Sequence, residues 1–235
     1  MWKLIKLEWE KNKISKYILG AVILTSLLAI FLFAQCYLGI ANDASTGKPD
    51  SAVGMETMAP QIELFTNLSY LIFTAVMLSS FVITPYKNKT MNLMFSYPIR
   101  RRKIAISQML SVWIFCFAAL LMGKLLIYSM LAVLKSYFTA SFQLGYQMNQ
   151  AGLYLQIILK SFVSVTLGFI ALFVGKLMKS SKAAIITAFL LFAVMNGTIG
   201  DFSLRGNAVI PFVLVFVSMV CAFLSVYRIE VRDLK

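Results

Sequence analysis

The 235-residue chain contains no histidine. That removes the commonest general base and the commonest transition-metal ligand, and with them Ser-His-Asp triads and His-based metalloprotease motifs. Acid is scarce too: 9 Asp and Glu stand against 22 Lys and Arg, and charged residues make up only 13% of the chain, where a soluble domain carries roughly 25%. The three cysteines, Cys36, Cys116 and Cys221, all fall inside apolar runs at different apparent depths. They are expected as small buried hydrophobes, not as a disulfide or a zinc cluster. No internal repeat, low-complexity tract or long polar stretch interrupts the chain, so a single membrane domain over 1–235 is expected.

What the sequence has in excess is apolar residues, 60% of the total, gathered in runs of roughly 20, the length that crosses a bilayer as a helix. Six spans are expected, at 17–41, 62–84, 104–134, 153–178, 183–200 and 208–227. The fold class is therefore all-α, a polytopic membrane protein with about six transmembrane helices. The third run is long, and its outer end is expected to leave the bilayer near Lys124. A cleaved signal peptide competes for the first 40 residues, but the apolar run is too long and lacks a small-residue cleavage site.

The net charge of +13 would suggest nucleic acid in a soluble protein. Here the cations flank the spans, which points to topology and to anionic lipid. Lys3, Lys6, Lys11, Lys13, Lys16, Lys87, Lys89, Arg100–Lys103, Lys176, Lys179, Lys182, Arg228, Arg232 and Lys235 fall on one side of the six spans, against Lys48, Lys135 and Arg205 on the other. The basic side is expected to be cytoplasmic and to hold both termini, in a multi-pass protein of the cell membrane.

The first 16 residues read as a helix lying on the inner membrane surface. Lys3, Lys6, Glu10 and Lys13 form a polar stripe, while Trp2, Leu4, Ile5, Leu7, Trp9 and Ile14 cover much of the rest. The plainer reading is a basic flank of the first span. Between spans two and three, Thr90 can cap a short helix on which Met91, Met94 and Phe95 share a face. Pro98 holds Tyr97 extended and ends it, and Arg100, Arg101, Arg102 and Lys103 return the chain to the headgroups. An apolar knob framed by cations either docks in a partner or dips into the bilayer.

These segments resemble the permease subunits of ABC-2 type transporters. The similarity lies in the basic, Glu-containing start 4–11, in Thr90, Ser96, Pro98, Ile99, Arg100 and Arg101, and in the basic tail 227–235. The chain departs from that pattern at Lys87, Asn88 and Lys89, where an acidic residue and a glycine are usual, and at Gln108, where a lysine is usual. The resemblance implies that 87–97 is a cytoplasmic coupling helix, with Thr90, Met91, Met94, Phe95, Tyr97 and Pro98 meeting a groove of a separate ATPase. The chain has no G-x-x-x-x-G-K-[ST] phosphate loop of its own. ATP and Mg would therefore sit on two copies of that partner, with a second permease copy or paralogue completing the transporter. Export of an amphipathic or hydrophobic cargo is then expected, a peptide or antimicrobial compound first and a lipid next.

Lys124 and Lys160 stand at similar apparent depth in spans three and four. They either line a wet cargo path that attracts anionic groups or snorkel to a nearer boundary. Span four carries a small-residue stripe, Ser161, Ser164, Gly168, Ala171 and Gly175, which permits close helix contact. Asn196, Gly197, Gly200 and Asp201 are placed to break span five. Two other classes remain: a membrane-embedded enzyme or processing protein, for which Lys124 or Lys160 would have to pair with a serine, and a channel or sensor that works without an ATPase.

Overall fold

The computed structural model describes residues 2–37, 58–87, 101–137, 148–199, 202–203 and 209–231. Within them the chain is helical apart from short turns and one pair of two-residue strands. The helices are α1 (Trp2–Lys11), α2 (Ser15–Tyr37), α3 (Met58–Leu78), α4 (Thr84–Lys87), α5 (Arg101–Tyr137), α6 (Ala151–Leu177), α7 (Ser181–Asn196) and α8 (Val209–Val231). Five helical runs are long and apolar enough to cross a membrane: Ser15–Gln35, Met58–Ile83, Arg102–Leu134, Ala151–Leu177 and Ile210–Tyr227. The protein is thus an all-helical, multi-pass membrane protein by length and composition. A helix suits that setting because it satisfies its own backbone where no water can.

The fifth apolar run differs from the sequence expectation. Helix α7 has 16 residues, which is about 24 Å against a hydrocarbon core of roughly 30 Å. It stops at Asn196, and β1 (Thr198–Ile199) then pairs antiparallel with β2 (Phe202–Ser203). The Asn-Gly pair breaks the helix as its chemistry suggests, but four residues before the expected end of that span. The long third run, by contrast, is unbroken. Helix α5 has 37 residues, about 55 Å in length, and continues through Lys124 without a break.

Between α3 and α4 the backbone widens into one π-helical turn, Ser79–Ile83. The cause lies just beyond it. Pro85 has no N–H to give and its ring crowds the preceding turn, so the chain closes on i→i+5 bonds instead. The Thr84 N–H donates to the Ser79 carbonyl, and the Thr84 hydroxyl donates to the same oxygen at 3.2 Å.

Two helices end on lysines in the left-handed region, Lys13 at φ 48° and Lys179 at φ 50°. Each sits in a paired-bond C-terminal cap. Ile14 N–H donates to Trp9 O (3.0 Å) with Lys13 N–H to Glu10 O (3.2 Å), and Ser180 N–H donates to Gly175 O (3.0 Å) with Lys179 N–H to Lys176 O (3.4 Å). Glycine would fit these positions without strain, yet both carry a cation that complements the negative end of the helix dipole.

The chain divides into two compact units. One comprises Met1–Ile14, Tyr70–Phe117 and Phe162–Lys235, the other Ser15–Ser69 and Ala118–Ser161. In the first, Leu71 and Ala75 of α3 pack with Leu167, Ile170 and Ala171 of α6 and with Ala188 of α7. The small-residue stripe of α6 makes this possible. A Cβ at Gly168 would lie 2.8 Å from Thr74 Cγ2, and one at Gly175 would lie 2.7 Å from Ala184 Cβ and 2.8 Å from Ile83 Cδ1. Trp113 stacks on Phe117 (5.3 Å, 7°) and meets Phe162 edge-on (5.6 Å, 82°). Lys176 donates to the Ser225 carbonyl at 2.8 Å, and Ser218 donates to the Thr166 carbonyl, so α8 is tied to α6 by polar contacts. In the second unit Leu28, Leu32, Met58, Ile62 and Leu120 are buried, and Phe31 meets Phe65 edge-on at 5.0 Å.

Candidate functional site

Two polar constellations stand out against the apolar background, one in each unit. The first joins α1 to the beginning of α5. Ile5, Glu8, Trp9 and Asn12 follow each other at helical spacing and form the inward stripe of α1, with Ile5 and Glu8 buried. Gln108 Nε2 donates to Glu8 Oε1 at 3.3 Å, and the Trp9 indole N–H donates to the Ser111 carbonyl at 3.2 Å. Asn12 Nδ2 donates to both the Glu8 carbonyl (3.0 Å) and Glu8 Oε2 (3.3 Å), while Lys11 Nζ stands 4.0 Å from the same carboxylate oxygen. The carboxylate thus has donors on each oxygen, which is what permits its burial.

The opposite face of α1 matches the expected polar stripe. Lys3, Lys6, Glu10 and Lys13 are exposed, and so are Trp2 and Leu7. Trp2 and Trp9 meet edge-on at 6.1 Å. Glu8 was not part of the amphipathic pattern read from sequence. Its signal was an acid on the otherwise apolar side of a basic helix.

The second constellation lies between α3 and α5 in the other unit. Lys124 is fully buried, with Nζ 2.8 Å from Glu63 Oε2. Tyr128 donates its hydroxyl to Glu63 Oε1 at 3.3 Å, and Asn67 Nδ2 donates to Glu63 Oε2 at 3.2 Å. Two i, i+4 pairs therefore face each other: Glu63 with Asn67, and Lys124 with Tyr128. Glu63 falls at the very edge of the expected span 62–84. Its signal was position, for Glu63 and Lys124 stand at nearly equal residue distances from the segment that joins their helices.

The structure keeps the two lysines close enough for their charges to act on each other, but gives them different surroundings. Lys124 is enclosed and neutralised by Glu63, whereas Lys160 is exposed on α6. Lys124 therefore does not snorkel. Trp2, Arg102 and Lys103 are exposed and Trp9 is half-buried. Arg101 opens α5. Thr90, Met91, Met94, Phe95, Tyr97, Pro98 and Arg100 lie outside the described residues. Cys116 and Cys221 are unbonded, the former with its thiol 3.6 Å from Met77 Sδ. Among the described residues no group of three or more His, Cys, Asp or Glu side chains is placed to hold a metal ion.

Comparison with known proteins adds one relative. The chain is 24% identical over 235 residues to uncharacterized protein YcbO of Bacillus subtilis (strain 168), covering 98% of this chain and 99% of that one. The two share their length end to end, and the relative's name carries no activity. No family model matches the chain, and no solved structure matches it.

Proposed function

We propose that this chain is the membrane-spanning permease subunit of an ATP-driven ABC-2 type exporter, embedded in the cell membrane with both termini in the cytoplasm. It performs no catalysis itself. Two copies of a separate ATPase, which bind ATP and Mg, drive it, and a second permease copy or paralogue completes the pathway. Six crossings would bring both termini to one side, with α7 as a short fifth span accommodated by local bilayer thinning.

The observation that carries this reading is the junction of α1 with α5. The segment 88–100, whose sequence carries Met91, Met94 and Phe95, precedes α5 at Arg101. Two to three turns further along, α5 holds Glu8 and Trp9 through Gln108 and the Ser111 carbonyl. A push on that segment would reach α1 and α5 together, as a transmission element requires. Gln108 takes the position where the resembled family usually has a lysine, and it meets an acid of the N-terminal helix. An amphipathic or hydrophobic cargo suits a membrane domain with so few charges, and Lys160, exposed on α6, is placed to meet an anionic group of it. The enzyme reading loses ground because the Lys124 ammonium is held by a carboxylate at 2.8 Å and is not available as a base.

The test is capture of the partner ATPase from membranes that express both chains. Truncating interface anchors typically costs about 2 kcal/mol or more. Replacing Met91, Met94 and Phe95 together by Ala should therefore weaken capture by an order of magnitude or more at unchanged membrane abundance. Full capture and full coupled activity in that variant would remove the coupling helix from the reading.

A further inference from the structure

A groove of about 410 Å³ runs between the first turns of α5 and the last turns of α8, with Phe169 of α6 also lining it. All of it belongs to one compact unit. Its α5 wall is Arg102, Ile106, Met109 and Leu110, and its α8 wall is Tyr227, Val226, Phe223 and Ala222. Helix α5 leaves the basic side of the chain and α8 returns to it. The walls therefore run in opposite chain directions, with Arg102 opposite Tyr227 at one end and Leu110 opposite Ala222 at the other.

Polarity is confined to one end. Among the described residues Arg102 is the one charged side chain of the lining, and it is the second residue of a long helix. There the unsatisfied N–H groups and the helix dipole add to its charge in favour of an anion. Guanidinium matches phosphate oxygens in a two-pronged geometry. Beyond Arg102 and Tyr227 the channel offers only hydrocarbon. A cation and a phenol at the mouth, then an apolar trough, have the polarity profile of one amphiphile with an anionic head. The volume falls within the roughly 300–1,000 Å³ typical of small-molecule sites.

We propose that this groove binds one anionic phospholipid of the inner leaflet, with its phosphate on Arg102 and one acyl chain along Ile106, Met109 and Phe223. The assignment rests on the topology given above, which puts Arg102 at the cytoplasmic surface, where anionic lipids concentrate. The bound lipid braces the start of α5, the helix that also holds α1, so its occupancy would bear on the same junction.

The full-length chain, purified alone in detergent, is titrated with phosphatidylglycerol or phosphatidylcholine, and retained lipid is counted by native mass spectrometry. Phosphatidylglycerol should bind at least tenfold more tightly. Arg102→Gln should erase that preference while leaving phosphatidylcholine unchanged, and Arg102→Lys should keep part of it. Ala222→Trp fills the trough without touching charge and should abolish retention of both lipids. Glycerol phosphate, a head without a tail, should not compete. Equal binding of the two lipids overturns the proposal, as does retention of phosphatidylglycerol by Ala222→Trp. So does an Ala222→Trp variant that changes the oligomeric state alone, which would give the groove to a second copy. Capture of an ATPase is scored separately on the wild-type chain, so its failure would remove the transporter reading and leave the lipid count standing.

Discussion

Lys124 Nζ lies 2.8 Å from Glu63 Oε2, and this pair sits on two apolar helices with Lys124 wholly enclosed. Charges inside a membrane protein are expensive and face the interior when present. Here the expense is offset by a complete set of donors on the carboxylate, from Lys124, Tyr128 and Asn67. The pair pins α3 against α5 at one register, because slipping either helix by a residue would leave a buried ion alone.

That arrangement predicts an asymmetric response. Lys124→Met alone should destabilise the protein by about 3–5 kcal/mol, since it strands the carboxylate, while Lys124→Met with Glu63→Met should recover most of the loss. Lys160→Leu should leave stability nearly unchanged, because that side chain is exposed. Thermal denaturation in detergent would measure all three. A Lys124→Met protein as stable as the parent would mean the pair contributes nothing.

The Glu8–Gln108 contact predicts how firmly α1 is held. Hydrogen bonds to charged groups contribute about 1.5–3 kcal/mol, so Glu8→Ala should raise amide exchange throughout Trp2–Lys11 by one to two orders of magnitude. Gln108→Lys, which turns the contact into an ion pair, should slow it. Exchange in α1 that ignores both changes would show that the helix is held by Ile5 and Trp9 alone.

Two glycines of α6 should respond to the same substitution with opposite sign. A Cβ at Gly175 meets Ala184 at 2.7 Å, whereas one at Gly152 meets nothing within 4 Å. Gly175→Ala should cost about 1–3 kcal/mol through overpacking. Gly152→Ala should be neutral or stabilise by up to about 1 kcal/mol, since it restricts the unfolded chain. Comparing their melting temperatures checks both, and equal shifts would contradict the packing of α6 on α7.

The count of crossings predicts where the chain ends. If α7 crosses despite its 16 residues, a reporter active only outside the cell should be silent when fused to Lys235 and when fused ahead of Trp2. A signal at Lys235 alone would make α7 an in-plane or half-inserted helix and leave five crossings.

The sequence by itself determined what depends on composition along the chain. Runs of apolar residues marked the long helices, since a span is a local property of length and hydropathy. The outward polar stripe of α1 followed from helical spacing, and Asn196-Gly197 marked a break in the fifth run, which the expected span overran by four residues. Tertiary structure decided which polar groups meet. Glu63 and Lys124, or Glu8 and Gln108, are far apart in sequence, and only helix register brings them within hydrogen-bonding distance. The same holds for the different burial of Lys124 and Lys160, which are close enough for their charges to interact: whether each side chain is enclosed depends on how its helix is rotated against its neighbours. Packing supplied that rotation, through glycines and alanines on α6 and α7 whose small size sequence can count but whose partners it cannot name.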